Sequence, residues 1–185
     1  MIAFLPTAAC LLALLLGGGT LQEPESVSLT IHGSSNVHDW TSEATDVRVR
    51  GDFRTDASGR LTAVEGLVIT VPVEGIKSEK GRIMDGKTYK ALLSDDHPEI
   101  RFEATAVRVS GSAVTADGQL RIAGQSRPVT LKAQWAEDGT GLSLTGSFDL
   151  LMTDFGIDPP TAMMGAMKTA NEVTVRYRVQ LASMP

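Results

Sequence analysis

A chain of 185 residues with a formal net charge of −5, 42% hydrophobic and 21% charged residues, has the balance of one ordinary globular domain with a core of its own. Its Lys and Arg are scattered rather than gathered into a run, which speaks against nucleic acid as a partner, since phosphate binding needs a clustered basic surface. The single cysteine, Cys10, falls in the N-terminal apolar segment and leaves the rest of the chain without a disulfide or a cysteine metal site.

Residues 2–16 are almost wholly apolar and are followed by Gly17, Gly18, Gly19 and Thr20. Such a run is shorter than the roughly 20 residues a membrane-spanning helix needs, and the small residues after it fit a secretory signal. Residues 1–20 are therefore expected to be a signal peptide, with the bacterial periplasm or the exterior as destination and an uncleaved anchor as the alternative. No Lys or Arg precedes the run. Thr7-Ala8-Ala9-Cys10 looks like a lipoprotein box, but most of the apolar stretch follows Cys10 instead of preceding it.

A domain over 27–182 is expected from what comes next. Val27, Leu29, Ile31 and Gly33 alternate with Ser28, Thr30 and His32, and Val47, Val49, Gly51 and Phe53 with Arg48, Arg50 and Asp52. The same period of two runs through Leu67-Ile69-Val71-Val73, Ile100-Phe102-Ala104, Gly118-Leu120-Ile122, Val129-Leu131-Ala133-Trp135, Leu142-Leu144-Gly146-Phe148-Leu150 and Val173-Val175-Tyr177-Val179-Leu181. Each is a strand with one buried and one wet face, and Pro72 places an edge or outward-facing position in its run. Turn signals at Ser58-Gly59, Gly111-Ser112, Ala123-Gly124 and Gly139 make neighbouring strands antiparallel hairpin partners. About eight strands suit a closed barrel or a sandwich. Inward Gly33, Gly51, Gly118 and Gly146 lean towards a barrel, because bent strands and a ligand-filled interior both call for small residues.

Two stretches depart from the alternation. Ile83, Met84, Tyr89, Leu92 and Leu93 recur at helical spacing until Ser94-Asp95-Asp96-His97-Pro98 ends the run, predicting a short helix near residues 82–93 over one barrel end. Residues 154–171, with Pro159, Pro160, Met163, Met164 and Met167, form a link too long for a tight hairpin and are expected at the rim.

Taken in order, these segments resemble the YceI-like family. The strand from Leu67 to Val73, the helix with Met84-Asp85-Gly86 and Tyr89-Lys90, and the turn into strand Asp96-His97-Pro98-Glu99-Ile100-Arg101-Phe102 follow its pattern. So do Gly118-Gln119-Leu120-Arg121-Ile122-Ala123-Gly124 with Arg127-Pro128-Val129, and Asp154-Phe155-Gly156-Ile157. No single motif is specific, whereas their order over almost the whole mature chain is. The opening Gly33-Ser34-Ser35-Asn36-Val37-His38-Asp39-Trp40 departs from the common form and marks a divergent branch. The resemblance implies an all-β, eight-stranded antiparallel lipocalin-like barrel in the cell envelope. It also implies a polyisoprenoid, isoprenoid quinone or other amphiphilic lipid in the lumen, held by a carrier or buffer that is often a dimer and meets the membrane or a membrane protein transiently.

The inward faces supply the lumen candidates Phe53, Ile69, Val71, Phe102, Leu120, Leu131, Trp135 and Phe148, which would otherwise simply fill a packed core. Met84, Met163, Met164 and Met167 are flexible, polarizable groups suited to lipid tails at a rim, and Tyr89, with Lys87 and Lys168, is placed at the mouth towards a head group. His32, His38 and His97 offer no metal-binding frame without cysteines or a helical His pair. A nucleophile motif of the G-x-S-x-G kind is absent from the sequence, so the expectation is a binding protein without cofactor rather than an enzyme. The competing reading is a ligand-free β interaction module acting in envelope stress or beside a membrane redox protein.

Overall fold

The computed structural model describes residues 20–22, 24–137, 139, 141–162 and 166–182. The expected signal segment through residue 19, and the rim candidates Met163 and Met164, lie outside the described residues.

Eight long strands arise where the sequence alternates: β2 (Pro24–Ser35), β4 (Arg48–Thr55), β5 (Leu61–Pro72), β7 (Glu99–Ser110), β8 (Ala113–Ile122), β9 (Gln125–Glu137), β10 (Gly141–Leu151) and β12 (Met167–Ala182). Short strands β1 (Thr20–Gln22), β3 (Asp39–Ala44), β6 (Ile76–Ser78) and β11 (Thr161–Ala162) bring the number among the described residues to twelve. The expected eight are thus the long ones. The short ones are missed because two to six residues are too few to show a period. Pro72 is the last residue of β5, where a missing N–H costs the ladder nothing further.

The strands run β1-β4-β5-β7-β8-β9-β10-β12-β2-β3-β6 across one curled sheet, with β11 paired to β12, and all ladders are antiparallel. This is a lipocalin-like half-barrel, not a fully hydrogen-bonded ring. Among the described residues no ladder joins β4 to β2 or β3. The seam is bridged instead by chain: residues 45–47 lead straight from β3 into β4, and a 3₁₀ turn at Val73–Gly75 carries the end of β5 across to β6 beside β3. Thr45 clamps the crossing, its backbone N–H and its hydroxyl both donating to the Gly75 carbonyl at 3.0 Å.

The interior divides along its length. Phe53, Leu61, Val64, Val114, Leu142, Leu144 and Leu181 pack into one buried cluster that plugs one end. Ala44, Val71 and Ile76 form a small cluster under the seam. Phe102, Leu120, Ile122, Met152, Phe155 and Ile157 belong to the third.

Helix α1 (Arg82–Ala91) is shorter than expected at its C-terminal end because Leu93 turns into the left-handed region, at φ 55°. Two residues assigned to its apolar face are misplaced: Ile83 is 81% and Leu93 49% exposed. Ala91 and Leu92 pack against the core, and polar residues add fixed attachments. Asp85 accepts from the Ser78 N–H at 2.7 Å, and the Tyr89 hydroxyl donates to the carbonyls of Glu74 and Ile76 at 2.8 and 3.1 Å, tying α1 to the seam.

Candidate functional site

Between the plugged end and α1 lies a cavity of about 490 Å³, within the roughly 300–1,000 Å³ usual for small-molecule sites. Met84, Lys87, Thr88 and Ala91 of α1 line it, at the i, i+3, i+4, i+7 spacing that puts them on one helical face. Ser35 and His38 from the β2–β3 turn, Lys80 ahead of the helix, and Pro160, Met167 and Thr169 also border it. The Asn36 side chain holds the first and last of these segments together: its amide donates to the Ala166 carbonyl at 2.9 Å and accepts from the Lys168 N–H at 2.8 Å.

Of the residues expected in the lumen or at the rim, Ile69, Val71, Met84, Phe102, Leu120, Leu131, Phe148 and Met167 all line this one cavity. Three do not. Phe53 belongs to the packed plug, and Trp135 packs beside it, its indole N–H donating to the Gly111 carbonyl at 2.9 Å. Both face inward as alternation requires, but at the filled end. Tyr89 is committed to the seam, where it also accepts from Lys77 Nζ at 2.7 Å. Of the two lysines placed with it, Lys87 borders the cavity and Lys168 does not.

Residues outside the expected lumen set complete the wall. Trp40 lines the cavity and donates its indole N–H to the Ser34 carbonyl at 3.3 Å. Its position directly across from Gly33 was the available signal, since an aromatic often covers a cross-strand glycine. Tyr177 pairs with Gly146 in the same way, and donates its hydroxyl to the Lys132 carbonyl at 2.8 Å. Burial raises the Tyr177 pKa above the usual phenol value, so it stays a neutral donor.

Polar groups at and beside the cavity are engaged in local structure. Ser35 Oγ donates to the His38 carbonyl at 2.8 Å and accepts from the N–H groups of Val37 and His38 at 3.2 and 3.1 Å, a local turn rather than a nucleophile facing a base. The His32 ring nitrogens meet the hydroxyls of Thr30 and Thr41 at 3.1 and 3.3 Å. Among the described residues no group of three or more His, Cys, Asp or Glu side chains could hold a metal ion.

The model of the YceI-like domain matches residues 30–181. The chain belongs to the YceI-like family. Solved structures share the family's fold at low sequence identity. BcnA of Burkholderia cenocepacia superposes with a TM-score of 0.68 at 14% identity, over 85% of this chain and 96% of that one. A YceI protein of Campylobacter jejuni gives a TM-score of 0.62 at 15% identity, over 78% and 85%. A polyisoprenoid-binding domain from Saccharophagus degradans, implicated in plant cell wall breakdown, gives 0.59 at 11% identity, over 89% and 98%. No curated protein matches the sequence.

Proposed function

We propose that this YceI-like protein is an exported carrier or buffer that holds an amphiphilic lipid, of polyisoprenoid or isoprenoid quinone type, with its tail in the cavity. The observation that carries the reading is a continuous apolar space of about 490 Å³ enclosed by the curled sheet and bordered by one face of α1. Membership of the family and the polyisoprenoid-binding name of the Saccharophagus degradans domain support the choice of cargo. Each buried methylene contributes about 0.8 kcal/mol, so a ten-carbon tail supplies about 8 kcal/mol, most of a micromolar affinity. An open cavity supports this reading over a filled interaction module, and a lining without a paired nucleophile and base supports a container over an enzyme. The apolar segment 2–16 supports export, and a carrier loading from a bilayer would meet the membrane transiently.

The test is extraction. Protein purified from a bacterial envelope is extracted with organic solvent and the extract analysed by mass spectrometry, and delipidated protein is titrated with farnesol and with a short-chain ubiquinone. A stoichiometric lipid and micromolar binding are expected. Empty protein that binds neither probe would overturn the reading.

A further inference from the structure

The cavity lining carries charge of one sign. The chain is acidic, with 22 Asp and Glu against 17 Lys and Arg, and a solvated rim would draw on both. Among the described residues the lining contains Lys80 and Lys87 and no carboxylate at all. Glu79, next to Lys80 in sequence, is exposed and is not part of the lining. Asp85 is the one acid of α1, and it is buried and turned to the Ser78 N–H. At i, i+2 it does not face Lys87 along the helix.

The two ammonium groups are also uncommitted. Lys77, outside the cavity, has the Tyr89 hydroxyl and ring, but among the described residues neither Lys80 nor Lys87 has an ion pair or a side-chain hydrogen bond. Lys87 is half-buried, and its aliphatic stem can lie along the apolar wall with the charge at the wall's edge. Lys80 is exposed. A cation at the border of an otherwise apolar space is suited to pair with an anionic group on a molecule that enters that space.

We infer that the cargo is an amphiphile with an anionic head, a carboxylate or phosphate, which Lys80 and Lys87 bind while the tail occupies the cavity. This rests on the proposed lipid-binding reading and sharpens it, because quinones and free polyprenols have neutral heads. Ser78 and Thr88, which also line the cavity, offer hydroxyl donors to the same group.

Matched probes separate head from tail. Delipidated full-length protein is titrated calorimetrically with farnesyl phosphate against farnesol, and with hexadecanoic acid against hexadecanol. At least one anion is expected to bind about tenfold tighter than its alcohol, the gain typical of one charge-assisted hydrogen bond, and the pair that discriminates tells phosphate from carboxylate. Lys80→Gln and Lys87→Gln should each reduce that ratio. Arg121→Gln, the same charge change on the exposed outer side of β8, should leave it unchanged. Equal binding of anion and alcohol in both pairs overturns the anionic head while leaving the lipid carrier intact. A ratio that falls as far with Arg121→Gln overturns the assignment to the two lysines, and no binding by any of the four probes overturns both readings.

Discussion

The indole of Trp40 fills the space that a side chain on Gly33 would occupy, the two residues being directly paired across the β2–β3 ladder. A Cβ on Gly33 would overlap the six-membered ring of the indole, so Gly33→Ala must push Trp40 out of the cavity wall. Overpacking of this kind costs about 1–3 kcal/mol. The expected result is a lower urea midpoint for Gly33→Ala and a much smaller loss when the same change is made in a Trp40→Ala background. Equal losses in both backgrounds would show that the glycine is needed for some other reason.

The chain has two tryptophans, and they sit in different halves of the interior. Trp40 lines the cavity, whereas Trp135 packs against the plug. With Trp135→Phe in place, the remaining indole should shift or lose emission when farnesol is added, and the change should saturate. With Trp40→Phe, Trp135 should be silent to the same titration. A response from Trp135 alone would move the ligand to the opposite end of the barrel.

That division explains what the sequence could and could not reveal. Alternation finds an inward face in each of the eight long strands, though not past the bulges in β5 and β7, beyond which Val64, Val107 and Val109 face inward out of phase. Phe53 and Trp135 obey it as strictly as Phe102 and Phe148, because period two reports which face a residue is on and not how far along the interior it lies. Whether a side chain meets the plug or the cavity depends on strand stagger, which is set in part by ladders such as Val175↔Ile31 and Val179↔Val27 between segments remote in sequence. The inward glycines were readable as small residues, but their use was not. Gly33, Gly118 and Gly146 make room for the rings of Trp40, Phe102 and Tyr177, and all three rings line the cavity. The helix was legible by its period, whereas its polar attachment was not, since Asp85 and Tyr89 bind backbone groups that no side-chain pattern records.

His97 and Gly124 form another such contact, at the β8–β9 hairpin. Ala123 and Gly124 both have positive φ, 46° and 78°, the conformation of a two-residue type I′ turn. A Cβ on Gly124 would run into the His97 imidazole. Gly124→Ala therefore combines a strained backbone with a blocked ring and should lose about 1–3 kcal/mol. In a His97→Ala background the steric part disappears and the backbone part stays, so the loss should shrink without vanishing. A denaturation series on the four proteins checks this, and a loss unaffected by His97→Ala would remove the imidazole from the account.

Asp117 ties three strands together on the outer surface and should set part of the acid sensitivity. Its carboxylate accepts from the Thr130 hydroxyl on β9 at 2.6 Å and from Arg108 on β7 at 2.8 Å. Its own carbonyl accepts from the Thr105 hydroxyl at 3.1 Å, at the register shift where β7 bulges against β8. The Thr130 hydrogen bond first, and then Arg108, hold its pKa below the ordinary carboxylate value of 3.8. A carboxyl group more acidic in the folded than in the unfolded chain favours the fold while it is ionised. Its contribution is therefore complete above the unfolded pKa, about 3.9, and is lost as pH falls through the lower folded value. Asp117→Asn should lower the urea midpoint at neutral pH, with the gap to wild type closing as the pH drops below about 4. Because the site is exposed, the Arg108 share should weaken in high salt. A gap that stays constant from neutral to acid pH would mean that the shape of the side chain, not its charge, stabilises the bulge.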